Sequence, residues 1–366
     1  MADGVLVLAM QLAARVPGGT GRYTQQLILA LSREAPAPST VTALISRDAI
    51  SDELQVPVPT RRIGLPSLVL SRLWERRLPP TVGWPGIVHA PTLLVPRVGG
   101  AARLVVTIHD VVPWSHPETL TARGVAFHRR MADRAAAEAS LIVTPTAAVA
   151  AQLTKTLNPR CPILPVAPGV TIAPVPADAA ERRSALGATD DYLLFVGTAE
   201  PRKGLDVLVE ALSRAELRDR RLVVAGPPGW GDVQVADLAR RHGVADRVVI
   251  TGRLSESDLS AVYAGAGAVV VPSRAEGFGF PVVEGMAHGR PVVVSADPAL
   301  VEVSAGAAPV VAIGDAGGLA AAAATVLADG VERRQAIRRG HARAADFSWT
   351  RTADEMWRLY RGVGSG

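Results

Sequence analysis

Two glutamates, Glu276 and Glu284, bracket a glycine-rich segment in the second half of the chain. Gly277 and Gly279 let the backbone approach a ligand closely, and Pro281 suits the first turn of a helix. Free amides at a helix start favour a phosphate. A carboxylate about one turn further on can accept hydrogen bonds from vicinal hydroxyls, such as a ribose diol. One glutamate alone is better explained as a helix-start charge, but two around these glycines favour a ligand with hydroxyls and phosphate.

A pair of adjacent cations, Arg202 and Lys203, lies between a predicted strand and a predicted helix. Fixed positive charge at such a junction neutralises a diphosphate and stabilises the charge that develops on a phosphate leaving group. The alternative is a solvated basic turn. Lysine occurs only at positions 155 and 203 of this arginine-rich chain, so its presence in this motif favours the functional interpretation.

Five further positions in the first half have residue types that suit a ligand site. His109 and Asp110 follow a predicted strand, at the edge of the sheet where ligands bind. A histidine at such a place is often only packed or capped. Gly18 and Gly19 belong to a predicted Pro-Gly-Gly turn, and Arg22 beside it is equally well explained as a phosphate contact or as a surface charge.

Several familiar ligand motifs are missing from the sequence. There is no Asp-x-Asp, the paired carboxylates by which some enzymes hold a nucleotide sugar through Mg²⁺ or Mn²⁺, so we expect neither a metal nor a cofactor. There is no Gly-x4-Gly-Lys-Ser/Thr loop, which argues against a kinase or an ATPase. The spacing of Gly18, Gly19 and Gly21 does not fit the Gly-x-Gly-x-x-Gly of a nicotinamide oxidoreductase.

The elements that must position these residues alternate along the chain. Short runs of valine, isoleucine and leucine predict strands in two series. The predicted strands lie at 5–8, 41–45, 87–89, 104–108 and 141–143, then at 192–196, 222–225, 248–251, 268–271 and 291–294. Helical patterns lie between them, for example at 23–31, 205–214, 259–264 and 320–324. The fold class is therefore α/β, with two Rossmann-like doubly wound domains facing each other across a cleft. A proline-rich stretch at 162–176 is predicted to be the linker or hinge.

The composition agrees with a folded protein of two domains. The chain has 366 residues, of which 48% are hydrophobic and 20% charged, which excludes disordered, collagen-like and coiled-coil proteins. Cys161 is the only cysteine, which excludes a disulfide framework within the chain and a cysteine-ligated zinc site.

Charge and hydropathy bear on the surroundings of the protein. Residues 1–175 have a net charge of +7 and the remainder −2, so the first half suits an anionic acceptor or a membrane surface. The longest uncharged stretch, between Arg77 and Arg97, holds five prolines and cannot be a spanning helix. The N-terminus does not predict a signal peptide, so we expect a cytoplasmic protein, with peripheral membrane contact as an option. The apolar, arginine-containing segment at 65–78 predicts an amphipathic helix, and packing on the first domain is favoured over membrane contact.

These segments resemble, in order and spacing, those of the family 4 retaining glycosyltransferases, which have the GT-B fold. The resemblance covers nearly the whole chain. It is carried by the Glu-x7-Glu segment and by residues 17–23, 107–110, 196–204, 224–226, 252–255, 272–273, 289–293 and 347–349.

The resemblance implies roles for the residues of the second half. Glu276 would contact hydroxyls of the donor sugar, and Glu284 would hold the nucleotide ribose. The remaining donor-binding positions would act mainly through backbone amides or through charge. The amides of Gly277, Phe278 and Gly279 would contact the sugar and the diphosphate, and the cationic pair Arg202 and Lys203 would neutralise the diphosphate. Thr198 stands where some relatives have arginine. Arg253 and Leu254 would lie at the base of the nucleotide.

The resemblance also implies roles in the first half. His109 would lie near the donor sugar, and Asp110 on the acceptor side. Gly18 and Gly19 would belong to a loop that closes over the donor phosphate and the acceptor, with Arg22 also on the acceptor side. The catalytic set is then His109, Arg202, Lys203 and Glu276.

The predicted enzyme is therefore a metal-independent retaining hexosyltransferase. Residues 1–170 would bind the acceptor, residues 171–349 would bind the nucleotide sugar, and a last helix at 350–366 would pack back on the first domain. GDP-mannose is the leading donor, with a dTDP- or UDP-hexose as the alternative. The acceptor would be a glycan, a glycolipid or a small glycoside, and no nucleic acid is expected.

Two alternatives from other classes make distinct predictions. A non-catalytic sugar-nucleotide-binding protein on the same fold would be expected to have lost Glu276, Lys203 or His109, and all three are present. A phosphorylase would need a pyridoxal-binding lysine, and neither of the two lysines has the surrounding motif.

Overall fold

The computed structural model describes residues 4–13, 18–49, 56–189, 191–229 and 233–364. The chain divides into two compact units. The first consists of Met1–Gly169 with Ser348–Gly366, and the second of Val170–Phe347. These bounds differ by one or two residues from those expected from the sequence.

The first unit is built on a parallel sheet. Its strands are β1 (Gly4–Leu8), β2 (Thr40–Ile45), β3 (Thr60–Arg62), β4 (Thr81–Gly83), β5 (Ile87–Ala90), β6 (Arg97–Gly99), β7 (Arg103–Thr107), β8 (Leu141–Thr144) and β9 (Ile163–Pro165). Seven of them form one sheet in the order β3-β2-β1-β5-β7-β8-β9, and β4 pairs with β6 separately. Every described pairing in both sheets is parallel.

Helices cover both faces of this sheet. They are α1 (Gly18–Arg33), α2 (Ser67–Glu75), α3 (Val112–Ser115), α4 (Ala122–Glu138), α5 (Ala147–Thr156) and, at the end of the chain, α14 (Trp349–Gly364). Val5 and Val7 of β1 pack into one apolar cluster, and Leu6 and Leu8 into another, because successive side chains of a strand point to opposite faces. Helix α14 packs on α1, where the Trp357 indole donates a hydrogen bond to the Leu31 carbonyl oxygen at 3.1 Å.

The second unit repeats the architecture with six strands. They are β10 (Tyr192–Val196), β11 (Leu222–Ala225), β12 (Val248–Gly252), β13 (Ala266–Val271), β14 (Val292–Ser295) and β15 (Val310–Val311). Their spatial order is β12-β11-β10-β13-β14-β15, all parallel, which is the doubly wound order of a Rossmann fold. The direction of winding reverses between β10 and β13.

Eight helices lie before, between and after these strands in the described part of the second unit. They are α6 (Ala179–Ala185), α7 (Leu205–Leu212), α8 (Val235–Arg241), α9 (Glu256–Gly265), α10 (Phe280–Ala287), α11 (Pro298–Ser304), α12 (Ala316–Leu327) and α13 (Val331–Ala344). Along β10, Leu193 and Phe195 belong to one apolar cluster, while Tyr192 and Leu194 belong to the other. The predicted pair of doubly wound α/β domains is therefore confirmed for each unit.

Some local predictions need correction. Helix α1 begins at Gly18, so Gly18 and Gly19 lie in its first turn rather than in a turn ahead of it, and Pro17 lies outside the described residues. The proline-rich stretch is not all linker, because Ile163–Pro165 form β9 at the sheet edge, where proline is tolerated. The short strands β3, β4, β6 and β15 were not predicted, since two or three residues give no periodic signal.

The segment at 65–78 forms helix α2, as predicted. Leu70 and Trp74 are fully buried in the first unit, while Leu68 is 62% exposed and Val69 is 37% exposed. The predicted packing on the first domain is therefore confirmed. Among the described residues, no helix has both the length and the apolar character needed to cross a membrane.

Candidate active site

The densest group of predicted site residues lies at the carboxyl end of the second sheet. The loop after β10 carries Arg202 and Lys203, and the loop after β13 carries Glu276. Strands β10 and β13 are neighbours, and the winding reverses between them, so both loops leave the sheet at its switch point. This is the position at which open α/β sheets bind ligands.

A charged cluster joins the two loops. Glu276 Oε1 accepts hydrogen bonds from Lys203 Nζ at 2.5 Å and from Ser273 Oγ at 2.8 Å, and Glu276 Oε2 lies 3.3 Å from Arg202 Nη1. Arg202 Nε also donates to Glu200 Oε2 at 2.9 Å. The side chains of Glu276 and Lys203 are only 8% and 14% exposed, so the cluster is largely shielded from water. The sequence predicted these residues, but not that they pair with each other.

Burial and charge act in opposite directions on this cluster. Burial alone would raise the pKa of Glu276, but the charges of Lys203 and Arg202 and the hydrogen bonds from Lys203 and Ser273 lower it to about 2. Burial, together with the charge of Arg202, lowers the pKa of Lys203 despite the opposing effect of the Glu276 carboxylate. Glu276 is therefore ionised at neutral pH and accepts hydrogen bonds only.

A buried aspartate, Asp297, contacts the backbone of Glu276 and was not predicted from the sequence. Asp297 Oδ1 accepts hydrogen bonds from the amides of Ala299 and Leu300 at 3.0 and 3.1 Å, which caps α11. Its Oδ2 lies 3.3 Å from the backbone nitrogen of Glu276. Burial raises the pKa of Asp297, and the nearby negative charge of Glu276 adds to this. The Asp-Pro dipeptide at the start of α11 signals a helix cap, but nothing in it indicates the link to Glu276.

A second unpredicted residue, Arg274, fastens the two loops together. It pairs with Asp206 through two hydrogen bonds of 2.8 and 2.6 Å, and it donates a third to the Pro201 carbonyl oxygen at 2.9 Å. Its backbone nitrogen donates to the Arg202 carbonyl oxygen at 2.7 Å. Gly204 lets the two loops approach closely, because a Cβ there would lie 2.2 Å from the Pro272 carbonyl oxygen. The positions of Arg202 and Lys203 are thus fixed relative to Glu276.

The glycine-rich segment leads into α10 as predicted. Gly279 has the left-handed φ of +83° and precedes the first helical residue, Phe280, and a Cβ on Gly279 would lie 2.4 Å from Leu300 Cδ2. Gly277 is buried, and the Phe278 side chain is buried in the core, with its ring 5.3 Å from that of Phe347. Any ligand contact of residues 277–279 therefore falls to their backbone.

Glu284 lies on α10 and is buried, with 5% exposure. Its Oε2 accepts a hydrogen bond from the Tyr263 hydroxyl at 2.6 Å. The Tyr263 ring stacks on His288 at a centroid distance of 4.9 Å and an interplanar angle of 14°. His288 Nδ1 donates to the Glu284 carbonyl oxygen at 2.8 Å, and burial lowers the pKa of this histidine. The sequence pointed to Glu284 but gave no sign of Tyr263.

The other donor-side residues lie at the same edge of the second sheet. Thr198 is half-buried just after β10. Arg253 and Leu254 follow β12, which lies two strands away from β10. Arg253 is exposed, whereas Leu254 packs partly against the apolar cluster of this unit. These three residues have no described contact with Glu276.

The predicted residues of the first unit form a separate group. His109 follows β7 and donates through Nε2 to the Pro91 carbonyl oxygen at 2.8 Å, with its ring edge-to-face on Tyr23 at 4.7 Å. Burial lowers the pKa of His109. Asp110 Oδ1 accepts from the Val112 amide at 3.0 Å, which explains it as part of a local turn ahead of α3. Arg22 is exposed on α1.

A chain of buried polar side chains lies near His109, and it was not predicted from the sequence either. His89 on β5 bonds to the Tyr360 hydroxyl through Nδ1 at 2.6 Å and to Thr107 Oγ1 through Nε2 at 2.8 Å. Thr107 Oγ1 in turn lies 3.5 Å from the Tyr23 hydroxyl. These hydrogen bonds connect α14 and α1 to β5 and β7, the two central strands that precede His109. In the described parts of both units, no group of three or more histidine, cysteine, aspartate or glutamate side chains could hold a metal ion.

Comparison with known proteins identifies the family that the second unit resembles. Residues 177–343, which make up most of the second unit, match the family described as glycosyl transferases group 1. The second unit therefore has the sequence of a group 1 glycosyltransferase domain. The resemblance inferred from its motifs is thereby confirmed at the level of this family, and the protein is a transferase.

Two kinds of glycosyltransferase are among the proteins with similar sequences. The O-antigen chain mannosyltransferase B of Escherichia coli is 29% identical over 283 residues, which cover 75% of this glycosyltransferase and 74% of that protein. The D-inositol 3-phosphate glycosyltransferase of Actinosynnema mirum is 36% identical over 247 residues, 62% and 58% of the two chains. That of Thermobispora bispora is 36% identical over 210 residues, and the match spans about half (49%) of its length.

Solved structures confirm the GT-B fold. Sucrose-phosphate synthase from Thermosynechococcus elongatus aligns with a TM-score of 0.75 and 21% identity over 99% of both chains. HepE of Anabaena, in complex with UDP and glucose, aligns with a TM-score of 0.75 and 18% identity over 98% of this glycosyltransferase and all of that chain.

Proposed function

We propose that this glycosyltransferase moves a hexose from a nucleotide-diphosphate sugar to an acceptor hydroxyl, with retention at the anomeric carbon and without a metal ion. The observation that carries the proposal is the shielded cluster of Arg202, Lys203 and Glu276 at the switch point of the second sheet. It combines two cations with an ionised acceptor, and a sugar diphosphate needs both.

The charged side chains of this cluster bind different parts of the donor. Glu276 accepts hydrogen bonds from hydroxyls of the donor sugar, because an ionised carboxylate has no proton to donate. Arg202 and Lys203 bind the diphosphate and stabilise the negative charge that grows on it as the glycosidic bond breaks. They act where other transferases use a divalent cation.

Binding of the donor also exchanges partners within the cluster. Lys203 and Arg202 turn from the Glu276 carboxylate to phosphate oxygens, and sugar hydroxyls take their place on Glu276. Lys203, Arg202 and Glu276 each keep a hydrogen-bonding partner, so none of the three is left buried and unpaired. Glu284 binds the ribose hydroxyls, and the amides of Gly277, Phe278 and Gly279 meet the sugar and diphosphate.

The retaining course needs no nucleophile from the protein. Glu276 has its oxygens engaged by Lys203, Ser273 and Arg202, and its low pKa makes it a weak nucleophile. We therefore assign it to sugar binding. The acceptor hydroxyl attacks the anomeric carbon from the side of the departing diphosphate, which takes up the hydroxyl proton. His109 stays in the proposed catalytic set on the resemblance of its motif.

The donor is best taken as GDP-mannose, since the E. coli relative is named a mannosyltransferase. A UDP- or dTDP-hexose is the alternative, supported by the UDP and glucose held by the HepE structure. The acceptor is a glycan, a glycolipid or a small glycoside and is bound by the first unit. If that acceptor lies in a membrane, the exposed Leu68 and Val69 of α2 are the residues that would meet the surface.

The test is a thermal-shift screen with GDP-, UDP-, dTDP- and ADP-sugars, with and without EDTA. A ligand that binds the native state raises its apparent stability by mass action. We expect one nucleotide class to raise the melting temperature equally with and without EDTA.

Variants of the two glutamates test the site. Glu276→Ala should lower kcat strongly while the protein stays folded, and Glu284→Ala should mainly weaken nucleotide binding. Glu210→Ala, on the exposed surface of α7 in the same unit, is the matched control and should behave like the wild type. Unchanged kinetics in both glutamate variants would contradict the site. Nucleotide binding without any transfer would favour the non-catalytic alternative.

A further inference from the structure

A group of arginines near the amino edge of the first sheet takes no part in the proposed transfer. Arg134 lies one turn before the end of α4, Arg77 follows α2, and Arg97 is the first residue of β6. Helix α4 connects the parallel strands β7 and β8, so its end lies at the edge of the sheet where those strands begin. His109 follows the other end of β7. The arginines therefore lie at the opposite edge of the sheet from His109.

Arg134 is a buried cation with one unsatisfied nitrogen. The residue is 7% exposed. Its Nη1 donates to the Trp74 carbonyl oxygen, and its Nε lies 3.6 Å from Glu138 Oε1. Its Nη2 is shielded from water and, among the described residues, has no hydrogen-bond partner. A buried donor without a partner costs free energy, and the cost is larger when the group is charged.

The surroundings of Arg134 hold more positive than negative charge. Arg77 Nη2 donates to the same Glu138 Oε1, and Arg97 Nη1 donates to the Arg77 carbonyl oxygen at 2.9 Å. Burial lowers the pKa of Arg134, and the positive charges of Arg77 and Arg97 add to this effect. Three guanidinium groups and one carboxylate leave this group with a formal charge of +2.

Glu138 is an anion that another anion can replace. It is the last residue of α4, where the helix dipole disfavours a negative charge. Its side chain is 30% exposed and that of Arg77 is 64% exposed, so both can turn towards water. Glu75 of α2 is paired with Arg130 of α4 at 2.8 Å and leaves the charge beside Arg134 unchanged. An external anion can therefore take the place of the Glu138 carboxylate.

We propose that an arginine cluster, made up of Arg77, Arg97 and Arg134, binds a phosphate group, either as free phosphate or as the phosphomonoester of a small molecule or a lipid headgroup. Guanidinium groups bind phosphate through pairs of parallel hydrogen bonds, so a phosphate supplies the acceptor that Arg134 Nη2 lacks. The site is independent of the proposed transfer, since none of its residues takes part there.

The test is hydrogen–deuterium exchange of the wild type with increasing inorganic phosphate, compared with chloride at the same ionic strength. Binding stabilises the native state, so we expect slower exchange in peptides that cover residues 74–80, 95–99 and 130–140. Resolution by peptide distinguishes this site from the proposed donor site, whose loops lie at 200–204 and 273–279. Slowing confined to those loops, or equal slowing by chloride, would overturn the proposal.

Variants assign the effect to the arginine cluster. Arg97→Gln should raise the phosphate concentration that gives half of the protection by roughly 10-fold or more, the effect of losing one charge-assisted hydrogen bond. Glu138→Gln, which removes the competing carboxylate, should lower that concentration. Arg123→Gln, exposed in the first turn of the same helix, is the matched control and should behave like the wild type. Wild-type behaviour of Arg97→Gln, or an unchanged or higher concentration for Glu138→Gln, would overturn the site.

A second arm distinguishes the two sources of a phosphate group. Vesicles of phosphatidylcholine with or without phosphatidic acid, which carries a phosphomonoester, replace inorganic phosphate, and bound protein is measured by sedimentation. Binding that requires phosphatidic acid and is lost in Arg97→Gln would assign the site to a lipid headgroup. Protection by inorganic phosphate without vesicle binding would assign it to a soluble phosphate.

Discussion

Replacement of His89 by glutamine should flatten the pH dependence of stability of the first unit. His89 is fully buried, and burial, with a smaller contribution from the charge of His109, lowers its pKa from 6.5 to about 3. Below pH 6.5 the unfolded chain binds a proton at this residue, and the folded chain does not until about pH 3. The stability that His89 contributes is therefore present above pH 6.5 and is lost as the pH falls.

The magnitude follows from proton linkage. One proton bound only by the unfolded chain lowers the free energy of unfolding by about 1.4 kcal/mol per pH unit, which gives about 2 kcal/mol between pH 8 and pH 5. This window lies above the titration of ordinary carboxylates. The difference between wild type and His89→Gln isolates the histidine from the other groups that titrate there.

The assay is urea unfolding at several pH values between 5 and 8, followed by tryptophan fluorescence, because five of the six tryptophans belong to the first unit. We expect the wild type to lose about 2 kcal/mol more than His89→Gln on going from pH 8 to pH 5. Tyr360→Phe is the control. It removes the hydrogen bond to Nδ1 but keeps His89 buried, so it should lower stability at every pH and leave the slope unchanged. Equal slopes for wild type and His89→Gln would refute the reasoning.

Two further predictions concern the second unit. Gly204→Ala should lower the free energy of unfolding by at least about 2 kcal/mol more than Gly243→Ala does, as measured by urea unfolding followed by circular dichroism. Both glycines have a φ of +68°, but only at Gly204 would a Cβ lie against a backbone oxygen. Similar losses in the two variants would show that left-handed strain alone is involved. Glu276→Gln should flatten the dependence of unfolding free energy on pH between pH 5 and pH 3. The low folded pKa of Glu276 adds stability above about pH 4.5 that is lost as the pH falls towards 2. The same unfolding assay checks this, and parallel pH dependences for variant and wild type would contradict the ion pair.

The sequence predicted the fold well because the strands of both units are continuous apolar runs. β1, β8 and β14 are buried along their whole length, so their residues leave a strong local signal. The edge strands β3 and β15 have two or three residues and largely exposed side chains, so they depend on pairing with a neighbour. The start of α1 was misplaced because two glycines ahead of a helical pattern are typical of a turn, yet here they lie inside the helix.

The site was predictable where chemistry requires a particular residue type. Glu276, Lys203 and Arg202 were found because acidic and basic residues next to glycines have few structural explanations. Arg274 and Asp297, which hold them in place, were not found, because an arginine in a loop and an aspartate before a helix are common in any protein. Their importance comes from tertiary contacts, namely the pair of Arg274 with Asp206 and the approach of Asp297 to the Glu276 amide.

The pairing of Lys203 with Glu276 was equally invisible, since the two residues are 73 positions apart. It nevertheless explains how the cluster can exist. Arg202 and Lys203 are balanced by Glu200 and Glu276, so the shielded group has no net formal charge. Replacing such a group by apolar residues is often neutral or stabilising, so stability alone gives little reason for it. In the proposed function, the ion pairs are exchanged for contacts with the ligand: a sugar diphosphate offers phosphate oxygens to the cations and hydroxyls to Glu276. Until the ligand binds, the internal ion pairs hold these side chains in the positions from which they contact it.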